Sequence, residues 1–131
     1  MNGDGRGDRP GELRVLVVED ETLVALILED MLAELGHTVI GPISAVSAGL
    51  EMAQRQDVDI DIAILDLNLK GASSLPVANA LKARGIPVVF STGYGRNGLP
   101  EAFRDAPFLQ KPFQQVDIEE VIAAASKVIG R

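Results

Sequence analysis

Polar residues that could carry out a reaction follow apolar runs at four points in the chain. Glu19 and Asp20 follow LRVLVV, Asp66 follows IAIL, Ser91 and Thr92 follow PVVF, and Lys111 follows PFLQ. Three carboxylates brought together repel one another, so one would take up a proton unless a cation lay among them. Mg²⁺, a hard cation that prefers oxygen ligands, would remove this conflict. With an ammonium and a hydroxyl added, the group suits a carboxylate that attacks a phosphoryl group and becomes an aspartyl phosphate.

The elements that would bring these residues together alternate along the chain. Apolar runs predict strands at 13–19, 38–42, 60–65, 86–91 and 107–110, and helical patterns predict helices at 21–36, 44–56, 73–85 and 114–130. Strands that are apolar on both faces and alternate with helices are typical of a parallel sheet covered on both sides. We therefore expect an α/β fold with a doubly wound, five-stranded parallel sheet. In such folds ligands bind at the carboxyl ends of the strands, where the polar residues stand.

The composition of the 131-residue chain excludes several classes of function. It contains no Cys and one His, which excludes disulfides, thiolate metal sites and sites built from several histidines. The formal net charge of −7 argues against autonomous nucleic-acid binding, which needs a basic surface. No apolar run reaches the ~18 residues of a membrane span, and no signal peptide is visible. We expect a cytoplasmic protein with a disordered tail at 1–11 and one domain at 12–131, without nucleic acid or membrane as a partner.

Four segments of the chain carry a resemblance to a known family. VLVVEDE (15–21), ILDLN (64–68), VVFSTGY (88–94) and FLQKPF (108–113) resemble, in order, the four motifs of the response-regulator receiver family. The resemblance spans nearly the whole chain and implies a flavodoxin-like or CheY-like (βα)5 fold. It implies that Asp66 is the phosphoacceptor, that Thr92 supplies a hydroxyl and that Lys111 supplies an ammonium. It also implies a site for Mg²⁺, or alternatively Mn²⁺. The ligands of that site would be the side chains of Glu19, Asp20 and Asp66 and the backbone carbonyl of Asn68.

The resemblance also implies a conformational switch. Thr92 would move towards the phosphoryl group while an aromatic side chain turns inward, a role that falls to Phe108 and that Tyr94 could share. A cis peptide is expected before the proline that follows Lys111. Ser91 stands where the related motif has Ala, and we expect its side chain to point the other way from Thr92.

The segment FSTGY resembles the Phe-Ala-Thr-Gly-Tyr motif of stand-alone receivers from alphaproteobacteria, which are often served by HWE-type histidine kinases. The resemblance implies a single-domain response regulator, a monomer or weak dimer, that accepts a phosphoryl group from a sensor histidine kinase on Asp66. It would signal through a downstream protein or act as a phosphate sink, and it would catalyse only its own phosphorylation and dephosphorylation. Two alternatives are a receiver-like scaffold that is not phosphorylated and a haloacid-dehalogenase-like phosphatase. Such phosphatases carry a second Asp where this chain has Asn68.

The glycine-rich segment STGYGRNG (91–98) contains G-x-G-x-x-G, a pattern found in dinucleotide-binding loops. Here it follows the fourth strand rather than the first, and Pro100 comes soon after, so a cofactor loop is not expected. The glycines instead leave only residues 99–105 to form a helix before the last strand. This is well below an independently stable helix length, and we predict a short or mobile fourth helix.

The first helix has one apolar stripe and two further leucines. The stripe predicted to face the core contains Val24, Ile27, Leu28, Met31 and Leu35. Leu26 lies on the opposite face, among charged residues. In the receiver family this helix docks onto the kinase, so we expect Leu23 and Leu26 to contact that partner.

Overall fold

The computed structural model describes residues 11–128, and the predicted disordered tail therefore lies almost wholly outside the described residues. The elements are β1 (Arg14–Val18), α1 (Thr22–Glu34), β2 (Thr38–Ile43), α2 (Val46–Gln54), β3 (Ile62–Asp66), α3 (Leu75–Ala83), β4 (Val88–Thr92), β5 (Phe108–Gln110) and α4 (Gln115–Val128). The five strands form one sheet in the order β2-β1-β3-β4-β5, and every neighbouring pair is parallel. The predicted doubly wound parallel sheet is confirmed.

Two apolar cores cover the two faces of this sheet. Successive strand residues point to opposite faces, so Leu16 and Val18 pack towards α2 and α3, whereas Val15 and Val17 pack towards α1 and α4. All four valine and leucine side chains are fully buried. The same alternation in β3 and β4 explains why these segments read as continuous apolar runs. It also decides which polar residues at the strand ends share a face.

The predicted short fourth helix is confirmed between β4 and β5. Only two single 3₁₀ turns form there, Arg96–Gly98 and Glu101–Phe103. Phe103 is buried and packs edge-on against Phe90, with ring centroids 5.2 Å apart. Arg96 Nη1 donates to the carbonyls of Arg104 and Ala106, each at 2.8 Å. A buried aromatic ring and side-chain hydrogen bonds to the backbone therefore support a segment whose own backbone forms short 3₁₀ turns instead of an α-helix.

Helix α1 is rotated relative to the predicted stripe. Its buried residues are Ala25, Leu28 and Leu32, and Ile27, predicted to face the core, is 40% exposed. The small Ala25 side chain sits on the buried face, and Ile27 is turned to the side of the helix, where it lines a groove with Pro112 and Phe113. The prediction for Ile27 is therefore wrong. Within residues 11–128, no helix is both long enough and apolar enough to cross a bilayer.

Candidate functional site

The carboxyl edge of the sheet brings together the predicted acidic residues and the predicted lysine. Oxygens of Glu19, Asp20 and Asp66 lie within 4.8 Å of one another. Lys111 Nζ lies 3.0 Å from Glu19 Oε1 and 3.3 Å from Asp66 Oδ2. Glu19, Asp66 and Lys111 continue the strand positions that point towards α1 and α4, which explains why their side chains converge although they are distant in sequence.

Glu19 is the most deeply buried of these carboxylates, with 2% of its side chain exposed. Its Oε2 accepts a hydrogen bond from the backbone N–H of Glu21 at 3.1 Å. The pKa of Glu19 is raised to about 7: burial and the neighbouring Asp66 raise it, while the Glu21 N–H and the Lys111 ammonium lower it. Without a metal ion, burial beside a second carboxylate therefore favours the protonated form of the Glu19 carboxyl up to near neutral pH.

Asp20 is held by the loop that follows β3. Partial burial raises its pKa, but the backbone N–H of Lys70 donates to Asp20 Oδ2 at 2.9 Å, and the net shift of the Asp20 pKa is downwards. Asn68–Leu69 and Ala72–Ser73 form a two-stranded ribbon in this loop. Its turn has positive φ at Lys70 (52°) and Gly71 (85°), a conformation that glycine adopts without strain. The turn thus places a backbone N–H against an ionised carboxylate.

Lys111 remains an ammonium in this setting. Its burial lowers the pKa, but the neighbouring Glu19 and Asp66 carboxylates raise it, and the net shift is upwards. The backbone N–H of Lys111 donates to the carbonyl of Thr92 at 2.7 Å, which fixes the residue beside the end of β4. The peptide between Lys111 and Pro112 is cis, as predicted; a second cis peptide, between Gly41 and Pro42, was not predicted.

The two hydroxyls at the end of β4 have different surroundings. Thr92 Oγ1 is buried and accepts a hydrogen bond from the backbone N–H of Tyr94 at 3.0 Å. Ser91 points to the opposite face from Thr92, as predicted, but strand register pairs Ser91 with Asp66, so both side chains lie on the same face. Ser91 Oγ is buried and has no hydrogen-bond partner among the described residues. The orphaned hydroxyl therefore lies on the face that carries Asp66.

The remaining predicted residues lie around this edge. Asn68 donates its backbone N–H to Asp66 Oδ1 at 3.4 Å. Phe108 is partly buried, with the guanidinium of Arg96 4.8 Å above the centre of its ring, and the Tyr94 side chain is 71% exposed. The structure thus places both aromatic residues near β4 and β5, and their switching role stays a prediction.

An apolar surface on α1 borders the site. Leu23, Leu26 and Ile27 are 69%, 51% and 40% exposed. Beside them, a groove of about 320 Å³ runs between α1 and the segment after β5, and Glu21, Val24, Ile27, Lys111, Pro112 and Phe113 line it. Lys111 therefore belongs both to the acidic cluster and to this groove.

Glu21 also lies at the site, although the sequence motifs give it no role. Its Oε1 is 3.6 Å from Lys111 Nζ, and its side chain is 64% exposed. The available signal was that an acid directly follows the Glu19–Asp20 pair. A residue at that point begins the turn into α1, so its direction could not be read from strand alternation.

Comparison with known proteins agrees with this geometry. The response regulator receiver domain family matches residues 15–123. The solution structure of SdrG from Sphingomonas melonis Fr1 has a TM-score of 0.79 and 43% identity, covering 90% of this chain and 99% of that one. SdrG has also been solved in a BeF3-activated conformation, with a TM-score of 0.72 and 45% identity over 85% of this chain and 93% of that one.

Curated relatives are longer than this chain. The phyllosphere-induced regulator PhyR of Methylorubrum extorquens is 33% identical over 117 residues, which cover 85% of this chain and 42% of PhyR. The transcriptional regulatory protein PdtaR of Mycobacterium tuberculosis is 30% identical over 122 residues, which cover 90% of this chain and 57% of PdtaR. The chain thus spans about half the length of these relatives. The match across residues 15–123 confirms the predicted family, and the chain belongs to the response regulator receiver domain family.

Proposed function

We propose that this chain is a single-domain response regulator that accepts a phosphoryl group on Asp66 from a sensor histidine kinase in the cytoplasm. The observation that carries the proposal is the position of Asp66, whose Oδ2 lies 3.3 Å from the Lys111 ammonium and whose carboxylate belongs to the cluster with Glu19 and Asp20. Receivers to which this chain is similar include one solved in a BeF3-activated form.

The donor set fits Mg²⁺. The cluster offers carboxylate oxygens from Glu19, Asp20 and Asp66 within 4.8 Å of one another, and burial together with the neighbouring Asp66 raises the pKa of Glu19. These three side chains and the backbone carbonyl of Asn68 would hold Mg²⁺, or Mn²⁺ as an alternative. A fold neighbour, the receiver domain of PA1611 from Pseudomonas aeruginosa, was solved with magnesium in its active-site cleft. Mg²⁺, when bound, supplies positive charge that offsets the charge on a transferring phosphoryl group.

The chemistry assigned to the chain's own residues is phosphoryl transfer. An Asp66 carboxylate oxygen forms a new P–O bond while the P–N bond of the phosphohistidine breaks, and the electron pair leaves with the imidazole. The Lys111 ammonium stabilises the phosphoryl oxygens, and the Thr92 hydroxyl donates to one of them once it turns from Tyr94. Hydrolysis of the aspartyl phosphate reverses the modification, so no independent substrate is required.

The output is assigned to protein–protein contacts or to a phosphate sink. Leu23 and Leu26 form an exposed apolar patch beside the groove that reaches Lys111, and we assign this patch to a sensor kinase, with the HWE type as the partner class. We further assign Phe108 and Tyr94 to the switch that signals to a downstream protein. The chain is proposed to act as a monomer or weak dimer.

Intact mass after incubation with acetyl phosphate and Mg²⁺ tests the acceptor. Wild type and Asp57→Asn should gain the mass of one phosphoryl group in an acid-stable, base-labile adduct, whereas Asp66→Asn and wild type in EDTA should not. Asp57 is an exposed carboxylate paired with Arg55, so it controls for the loss of a charge outside the site. An adduct that survives in Asp66→Asn would refute the assignment. Labelling of none of these proteins, even by a purified HWE-type kinase, would favour a scaffold.

A further inference from the structure

Glu21 approaches Lys111 from outside the acidic cluster. Its Oε1 lies 3.6 Å from Lys111 Nζ. Glu21 is also the residue that caps the start of α1, but its side chain makes no capping hydrogen bond. Acidic side chains at this point commonly accept hydrogen bonds from the first N–H groups of the helix. Here the carboxylate instead extends across the mouth of the groove to the lysine.

Three carboxylates therefore share the Lys111 ammonium. Nζ lies 3.0 Å from Glu19, 3.3 Å from Asp66 and 3.6 Å from Glu21. An ammonium has three N–H donors; one bonds Asp66 Oδ2, and the charge is also held between Glu19 and Glu21 before any phosphoryl group arrives. A phosphoryl group on Asp66 adds oxygens that attract the ammonium, and Lys111 can move towards them only by weakening one of its existing contacts.

Of the three contacts of Lys111 Nζ, the one with Glu21 can be broken at the lowest free-energy cost. Its side chain is 64% exposed, compared with 2% for Glu19 and 12% for Asp66, and its distance to Nζ is the longest of the three. Exposed ion pairs are weak because water replaces the contact on both groups. The pair between Glu21 and Lys111 thus restrains the lysine while adding little to the stability of the fold.

We propose that Glu21 is a positioning residue that restrains Lys111 in the unphosphorylated protein and slows the phosphorylation of Asp66 until it releases the lysine. This inference rests on the proposed function. With acetyl phosphate as donor, an Asp66 oxygen forms the new P–O bond, the bond from phosphorus to the acyl oxygen breaks, and acetate leaves with the electron pair. The Lys111 N–H that faced Glu21 then turns to the phosphoryl oxygens.

The test compares Glu21→Gln and Glu21→Asp with wild type. Gln removes the charge, whereas Asp keeps the charge but is one methylene too short to maintain the contact. Rates of Asp66 labelling are measured against acetyl phosphate concentration at saturating Mg²⁺. Both variants should raise the maximum rate about two- to fivefold and leave the half-saturating donor concentration unchanged. Glu34→Gln, at an exposed position in the last turn of the same helix, should match wild type.

A second readout does not depend on labelling. The ε-carbon resonance of Lys111 in metal-free protein should shift equally in Glu21→Gln and Glu21→Asp, while that of Lys127 stays in place. An unchanged Lys111 resonance would overturn the inference even if wild type were never labelled, and that lack of labelling would count only against the proposed function. If wild type is labelled, equal rates in Glu21→Gln would also overturn it. A faster Gln variant beside an Asp variant at the wild-type rate would overturn the positioning role, because it would show that Glu21 acts by its charge and not through the contact with Lys111.

Discussion

Two buried serines should respond in opposite ways to replacement by alanine. Ser91 and Ser74 are 1% and 0% exposed. Ser91 Oγ has no hydrogen-bond partner among the described residues, whereas Ser74 Oγ donates to the carbonyl of Leu67 at 3.0 Å. Both changes remove a single hydroxyl and keep the Cβ atom. Comparing the two variants therefore separates the free-energy cost of burying a hydroxyl from the free energy gained when that hydroxyl makes a hydrogen bond.

The magnitudes follow from these contacts. A buried hydroxyl without a partner costs about 1–3 kcal/mol, so Ser91→Ala should raise the free energy of unfolding by about 1 kcal/mol after allowing for the small void. A neutral hydrogen bond is worth about 1 kcal/mol, so Ser74→Ala should lower it by about that amount. The Leu67 carbonyl keeps a second donor in that variant, the backbone N–H of Ser74 at 3.1 Å, so no orphaned acceptor adds to the loss.

Urea unfolding of wild type and both variants in EDTA gives the comparison. The two variants should differ by about 2 kcal/mol with equal m-values, and their melting temperatures should differ by roughly 8 °C. A Ser91→Ala protein that is less stable than wild type would show that the Ser91 hydroxyl is bonded in solution and that this reasoning is wrong. Equal losses in both variants would lead to the same conclusion.

Two further predictions concern Glu19 and the α1 surface. The pKa of Glu19 is raised from 4.5 to about 7, so the folded protein without metal holds a proton that the unfolded chain releases. Its stability should fall by up to about 3 kcal/mol as the pH rises from 4.5 to 7. Glu19→Gln should abolish that loss in urea unfolding with EDTA, and an unchanged slope would contradict the burial argument. Leu26→Asp should slow phosphotransfer from the kinase about tenfold, because an apolar residue that anchors the interface is lost. Labelling by acetyl phosphate should not change. An unchanged rate of transfer from the kinase would show that Leu26 does not contact the kinase.

The acidic cluster could be predicted from the sequence because strand alternation and strand ends determine it. Glu19 follows β1, Asp66 ends β3 and Lys111 follows β5, and all three stand at positions of one parity in a parallel sheet. The sequence predicted that one carboxylate of the cluster would take up a proton, but neither the distances nor the identity of that carboxylate as Glu19 followed from strand alternation. They depend on how far each side chain is buried, which the helices on that face determine.

Helix faces were predicted less well than strand faces, for a physical reason. A strand has two faces, so one buried residue determines which of the other residues point to the same face. A helix, in contrast, can rotate continuously about its axis. Periodicity in α1 identified an apolar stripe but not its centre, and Ile27 was assigned inward although it turns towards Pro112 and Phe113. Those partners come from the other end of the chain, so no local pattern contains them.

The contacts of Glu21 and Ser91 could not be predicted from the sequence for a related reason. Each stands one step from a residue with an assigned role, next to Asp20 or Thr92, and family motifs give a role to that neighbour only. Their surroundings differ from what their residue types suggest: an exposed acid reaches a lysine instead of capping its helix, and a buried hydroxyl has no partner among residues 11–128. Such local conflicts tend to mark places where function, rather than stability, has selected the residue. The two are therefore the positions in this receiver where substitutions should separate catalysis from folding.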